Sequence, residues 1–146
     1  MALPKLQTTE HKLTVPSTQE EIKFRPFLVK EQKILMIAQE SGDEKQIADA
    51  MEKLVSNCTF GAINANTAPM FDVEYIFLQL RSKSVGSKIT LNVTCPDDNK
   101  TKVEVELDVD DIGVQMSLEH SLNIEITDSI SVTLRYPRLK DLHGLS

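Results

Sequence analysis

The hydrophobic pattern of the chain changes its period near residue 87, and this change constrains the fold more than any other feature. Between residues 28 and 85 the apolar side chains recur every three to four residues, which is typical of amphipathic helices. Between residues 87 and 109, and again between 122 and 136, they alternate with polar ones, which is typical of strands with one buried and one wet face. The order predicts an α+β fold, with about three helices in the N-terminal half packed on a mainly antiparallel sheet of hairpins.

The chain of 146 residues has the length of one ordinary domain and can bury a core of its own. We therefore predict a single domain over residues 1–146. Turn-forming residues divide it into an N-terminal hairpin at about 11–24, helices at about 28–85, antiparallel hairpins at about 87–136 and a short tail at 137–146.

The first two predicted helices each carry one apolar stripe. The stripe of the first consists of Leu28, Glu31, Ile34, Leu35 and Ala38, and that of the second of Ile47, Met51, Leu54, Val55 and Cys58. This spacing indicates that Cys58 is a small buried hydrophobe. In a reducing compartment we expect both Cys58 and Cys95 to be free thiols.

The third predicted helix begins near Pro69 and is apolar most of the way round. One stripe consists of Val73, Ile76, Phe77 and Leu80, and the other of Phe71, Tyr75 and Leu78. Such a helix has to be covered on two sides, either by a sheet and the other helices or by a second protein. The sequence leaves both interpretations open.

The stretch TCPDDNKT, residues 94–101, raises the question of a metal site. Cys95 with the proline after it looks like half of a metal knuckle, or like a hairpin turn. No second cysteine follows, and no histidine lies within ligand spacing. Because Cys95 continues the alternation of the strand before it and residues 96–99 are turn-forming, we interpret the stretch as a hairpin turn and predict no metal site.

Catalytic motifs are absent from the sequence. Residues 86–88 read GSK, but the first glycine and the adjacent lysine of a phosphate loop are missing. The chain has no nucleophile-elbow, zinc-protease or calcium-loop pattern, and its three histidines stand far apart. We therefore predict no enzyme activity, no cofactor and no small-molecule substrate.

The charge and the hydropathy of the chain each argue against one class of partner. The net charge is −6 and the pI is near 5.1, so the overall field repels phosphate backbones, and we predict no nucleic-acid binding. No segment approaches the roughly 18 apolar residues of a membrane span, so we predict no membrane contact and expect a cytosolic protein.

Four stretches stand in a recognisable order from about Leu13 to about Tyr136. They are LTVPSTQEEIKFRPFLVKEQKILMIAQES, VSNCTFG, FDVEYIFLQLRSKSVG and LNVTCPDDNKTKVEVELDV. Their most specific parts are FRPF at residues 24–27, followed by Lys30 and Glu31, and LRSKSVG at residues 80–86. In these stretches the chain resembles the baseplate hub proteins of contractile-tailed bacteriophages of the T-even type.

This resemblance implies a non-enzymatic phage tail protein, either a component or an assembly factor of the central baseplate hub. Its partners would be other hub and tail proteins, and its place the host cytoplasm during assembly or the tail baseplate of the virion. Some relatives have a second cysteine shortly after the Cys-Pro pair, where this chain has Asp97 and Asp98, so metal binding is not carried over. The alternative is a small cytosolic domain that binds a metal or a host protein.

Two groups of residues are the candidates for partner binding. They are Arg25, Phe27 and Lys30 at the strand-to-helix junction, and Phe71, Tyr75 and Leu78 on the third helix. An alternative for the first group is a structural corner, in which Arg25 pairs with Glu31 and Phe27 lies in the core. For the second group we predict that Tyr75→Asp weakens partner assembly and leaves a folded monomer, whereas loss of the fold would assign that stripe to the core.

Overall fold

The computed structural model describes residues 8–117 and 119–144. In chain order its elements are β1 (His11–Thr14), β2 (Glu21–Phe24), α1 (Val29–Ser41), α2 (Glu44–Cys58), α3 (Met70–Val85), β3 (Lys88–Thr94), β4 (Lys102–Asp108), β5 (Asn123–Thr127) and β6 (Ile130–Thr133). Short 3-10 turns cover Val109–Asp111 and Leu139–Gly144. The α+β class, the three helices in the first half and the antiparallel hairpins are confirmed. The assignment of residues 1–146 to a single domain stays a prediction.

The six described strands form three separate two-stranded sheets. β1 pairs with β2, β3 with β4 and β5 with β6, all antiparallel. In the longest hairpin the register places Leu91 opposite Val105 and Val93 opposite Val103. The expected sheet is therefore divided among three hairpins, because each strand pairs only with its neighbour in sequence.

The hydrophobic core lies between the N-terminal hairpin, α2 and α3. Its buried side chains are Leu13, Val15 and Phe24 from the hairpin region, Leu54, Val55 and Cys58 from α2, Ala65 from the following loop, and Val73, Ile76 and Leu80 from α3. Cys58 is fully buried, which confirms its interpretation as a small hydrophobe. The first stripe of α3 is core because α2 and the hairpin cover it.

The connection between α1 and α2 is explained by two residues. Gly42 adopts a left-handed conformation with φ of 64°, and its N–H donates to the Gln39 carbonyl, which ends α1. The next residue, Asp43, accepts a hydrogen bond from the Lys45 N–H at 2.9 Å and caps the start of α2. The two helices therefore lie side by side.

Helix α3 anchors the bases of both C-terminal hairpins. At its C-terminal end, Asp110 accepts hydrogen bonds from the Ser82 hydroxyl at 2.6 Å and the Lys83 ammonium at 3.0 Å. At its N-terminal end, the Met70 N–H donates to the Pro137 carbonyl at 2.9 Å. Since α3 has 16 residues, and a helix rises ~1.5 Å per residue, these anchors are separated by about 20 Å along the helix.

The prediction that the hairpins between residues 87 and 136 bury one face against the helices is wrong. Both strands of β3–β4 and both strands of β5–β6 are exposed along most of their length. The alternation of apolar and polar side chains is present, but α3 is already covered by α2 and the N-terminal hairpin. The pattern specifies a two-faced hairpin and does not specify what covers it.

Candidate functional site

The strand-to-helix junction is organised by an ion pair. Two guanidinium nitrogens of Arg25 donate to the two carboxylate oxygens of Glu31, at 2.7 Å and 3.1 Å. The side chains are 12% and 2% exposed, so this pair is largely excluded from water. The backbone N–H of Arg25 also donates to the Cys58 carbonyl at 2.9 Å. The pairing proposed for the structural corner is confirmed.

The electrostatics of this corner favour a structural role. Burial acts to raise the pKa of Glu31, but hydrogen bonds from Arg25 and from the Leu28 N–H outweigh burial and lower that pKa. Burial, together with the nearby Glu31 charge, raises the pKa of Cys58 to about 11. The carboxylate is therefore ionised and the thiol protonated near neutral pH, which makes Cys58 a poor nucleophile.

The other two junction residues occupy different environments. Phe27 is half-buried against the core, and its N–H donates to the Ser84 hydroxyl at 3.0 Å. That hydroxyl donates in turn to the Leu80 carbonyl, so the junction is tied to the last turns of α3. Lys30 is exposed on α1. Two of the three junction candidates thus form part of the framework and one lies on the surface.

The second stripe of α3 is half-buried. Phe71 contacts Tyr136 edge to face, with ring centroids 5.0 Å apart, and His120 stacks on the same tyrosine. Tyr75 packs against the core, whereas Leu78 is partly exposed without belonging to it. Because Tyr75 packs against the core, we expect Tyr75→Asp to destabilise the fold in addition to any effect on partner binding.

The structure does not bring the two candidate groups together. Phe27 contacts Ser84 near the C-terminal end of α3, whereas Phe71 lies 13 positions earlier, near the N-terminal end. A helical rise of ~1.5 Å per residue separates these positions by about 20 Å. The partner-binding role of the six residues stays a prediction.

An apolar surface on α1 was not predicted from the sequence. Glu31, Leu35 and Ala38 turn toward the protein, while Ile34 and Ile37 remain exposed, Ile37 to 65%. Together with Lys30 they form a row at positions i, i+4 and i+7, which we call the α1 surface. It borders a groove between α1 and α2 that is lined by Ala38, Ala50, Gln46, Asp49 and Lys53.

Two further apolar surfaces lie on the C-terminal hairpins. The β3–β4 face consists of Leu91, Val93, Val103, Val105 and Leu107. The β5–β6 face consists of Leu122, Ile124, Val132 and Leu134, with Ile126 and Ile130 beside a register irregularity. These eleven side chains are 38% to 61% exposed. The alternation of the sequence locates both faces, but nothing in it shows that they are uncovered.

The stretch around Cys95 forms a hairpin turn, as predicted. The Cys95 N–H donates to the Thr101 carbonyl at 2.8 Å, and Asn99 adopts the left-handed conformation with φ of 53°. Asp98 accepts hydrogen bonds from the backbone N–H groups of Lys100 and Thr101 and from the Thr101 hydroxyl. These bonds, the Thr101 hydroxyl first, lower the pKa of Asp98 to about 2.

Within residues 8–117 and 119–144, no group of three or more His, Cys, Asp or Glu side chains is placed to hold a metal ion. None of the helices in that part of the chain is both long and apolar enough to cross a membrane.

The comparison with protein families gives a match over most of the chain. Residues 8–144 match the family described as T4 bacteriophage base plate protein. No curated protein matches the chain, and no solved structure matches it. The family match spans nearly the whole chain and agrees with a structural role in the phage baseplate and an association with other baseplate proteins. The chain belongs to the T4 bacteriophage base plate protein family.

Proposed function

We propose that this chain is a structural or assembly protein of the central baseplate hub and acts by binding other hub proteins in the host cytoplasm during assembly. Membership of the base plate family supports the phage setting. The observation that carries the proposal is the α1 surface, where two isoleucines and a lysine lie exposed beside a groove between two helices.

The chemistry of this groove suits a helical segment of another hub protein. The small side chains of Ala38 and Ala50 leave room between α1 and α2 for an apolar side chain of a partner. Asp49 and Lys53 place one charge of each sign at the edge of the groove, so a partner helix with mixed charges can be oriented there. An apolar centre with a polar rim is the usual organisation of a protein interface.

The polar groups inside the protein support a non-enzymatic role. Glu31 is fully engaged by Arg25 and the Leu28 N–H, and the buried Asp72 accepts hydrogen bonds from the N–H and hydroxyl of Ser17. These carboxylates connect elements of the fold. The described core thus uses its charged groups for structure.

Binding to purified hub proteins tests the proposal. Ile37→Lys places a charge on the α1 surface, and Gln39→Lys places the same charge on the other side of the helix as a matched control. We expect the wild type and Gln39→Lys to bind at least one hub protein in calorimetry, and Ile37→Lys to bind it at least about tenfold more weakly, a loss of about 1.4 kcal/mol. Equal binding by Ile37→Lys and Gln39→Lys would show that the α1 surface is not part of the interface. Absence of any complex with the wild type would contradict the hub role.

The amount of this chain in purified particles distinguishes a permanent subunit from an assembly factor. Mass spectrometry of complete virions and of baseplate intermediates gives the number of copies in each. A subunit is present in both at the same number per baseplate. An assembly factor is present in the intermediates and absent from the virion.

A further inference from the structure

We infer that a second copy of this chain covers the two hairpin faces, with the β3–β4 face of each copy packed on the β5–β6 face of the other. The inference goes beyond the proposed hub contact, which uses a different surface, the α1 surface. It rests on the chemistry of the two faces and on where α3 anchors the two hairpins.

Each hairpin has one face without charge. In β3–β4 the register pairs Leu91 with Val105 on the apolar side and Asn92 with Glu104 on the polar side. In β5–β6, Ile124 lies opposite Val132, while the polar side carries Glu125 opposite Ser131. Two such faces can pack as layers ~10 Å apart and leave both polar sides in water.

Neither hairpin is expected to be stable by its own pairing. An isolated two-stranded hairpin is marginal in water, because one ladder of hydrogen bonds and one layer of side chains do not offset the entropy of ordering the chain. The side chains that β-strands contribute to the hydrophobic core come from the N-terminal hairpin and not from the two C-terminal hairpins. The two C-terminal hairpins therefore need a layer that the described residues of one copy do not supply.

The anchoring of the hairpins favours a second copy over contact within one chain. Asp110 fixes the base of β3–β4 to the C-terminal end of α3, and Tyr136 with Pro137 fixes the base of β5–β6 to the N-terminal end. Both faces remain exposed in this arrangement. In a dimer with a two-fold axis, the β3–β4 face of each copy meets the β5–β6 face of the other. This contact occurs twice, so all four hairpin faces are covered and the assembly is closed.

The exposed area is sufficient for such an interface. Eleven aliphatic side chains at 38% to 61% exposure present apolar area of the same order as the ~800 Å² that each partner buries in a standard interface. The net charge of −6 per chain opposes association, but the charges lie outside the two faces and are screened by salt. The exposed apolar area is therefore large enough to support a dimer of two chains.

Sedimentation equilibrium of the full chain tests this inference. Leu91→Lys and Val132→Lys place an ammonium on an apolar face, whereas Asn92→Lys and Ser131→Lys place it one residue away on the polar face of the same strand. We expect the wild type and both controls to have twice the chain mass of 16.4 kDa, and both face variants to dissociate with constants at least about tenfold larger. Far-UV circular dichroism verifies the helices in each variant.

An equimolar mixture of the two face variants tests the reciprocal arrangement. In the mixed dimer both lysines fall in one of the two contacts, and the other contact has only native side chains, so we expect the mixture to recover a dimer. A wild-type monomer at about 100 µM, face variants that associate as well as their controls, or a mixture that stays monomeric would each overturn the inference. Because these variants leave the α1 surface intact, such a result is separate from failure of the proposed hub contact.

Discussion

At the scale of single residues, the Arg25–Glu31 pair holds the junction between the N-terminal hairpin and α1. The same carboxylate pairs with the guanidinium and accepts the Leu28 N–H at the start of α1. This pairing is the one that the structural-corner alternative for the junction predicts. The additional tie to the Cys58 carbonyl depends on the packing of α2 and has no local signal in the sequence.

Neutralising one partner of this pair should destabilise the fold. Glu31→Gln leaves the Arg25 charge buried without its counterion, and we expect the free energy of unfolding to fall by about 3 kcal/mol in urea denaturation. Glu21→Gln is the matched control, because it removes an exposed ion pair with Lys12, and we expect little change. A similar loss for both variants would contradict the structural role of the buried pair.

The turn at Asp98 should titrate abnormally. Its pKa in the folded chain is about 2 against an ordinary value of 3.8, so its contribution to stability is complete above about pH 4 and is lost as the pH falls through 2. A carboxyl-carbon NMR titration should show this midpoint. Thr101→Val removes the hydroxyl donor and should raise the midpoint. An ordinary midpoint in the unmodified chain would contradict the described turn.

At the scale of elements, the sequence predicted the helices and hairpins themselves better than it predicted which elements pack against them. The α2 stripe reaches the core through Leu54, Val55 and Cys58, whereas Ile47 and Met51 lie outside it. The first stripe of α3, whose cover the sequence left open, lies in the core or packs against it. Ile34 was expected on the inner side of α1, but Glu31, Leu35 and Ala38 take that side. The alternation of apolar and polar side chains predicted the two faces of β3–β4. That the apolar face is exposed follows from the packing of α3 against α2 and the N-terminal hairpin. Periodicity describes one element, and burial depends on the elements around it.

The position of the core can be tested by one substitution at two sites. Ile76→Ala removes a fully buried side chain between α2 and the N-terminal hairpin, and we expect a loss of about 3 kcal/mol in the free energy of unfolding. Ile37→Ala makes the same change on the α1 surface and should cost less than about 0.5 kcal/mol. Both are measured at one protein concentration, since association also stabilises the fold. A small loss in the free energy of unfolding for Ile76→Ala would contradict this position of the core.

At the scale of the whole molecule, the core and the apolar surfaces are separate. The N-terminal hairpin, α2 and α3 form the stable part, α1 adds a surface beside a groove, and α3 holds the two C-terminal hairpins at its opposite ends. In the chain alone the hairpin faces and the α1 surface are in water. This distribution suits a protein that works by contact, and it accords with membership of the base plate family.

The most direct measurement of the central claim is baseplate assembly in cells infected by phage that lack this chain. The chain is supplied as wild type, as Ile37→Lys or as the matched control Gln39→Lys, and baseplates are counted after gradient sedimentation. We predict complete baseplates with the wild type and the control, and accumulated hub intermediates with Ile37→Lys. Complete baseplates without any supplied chain would contradict a role in the hub, and complete baseplates with Ile37→Lys would contradict the α1 surface as its point of contact.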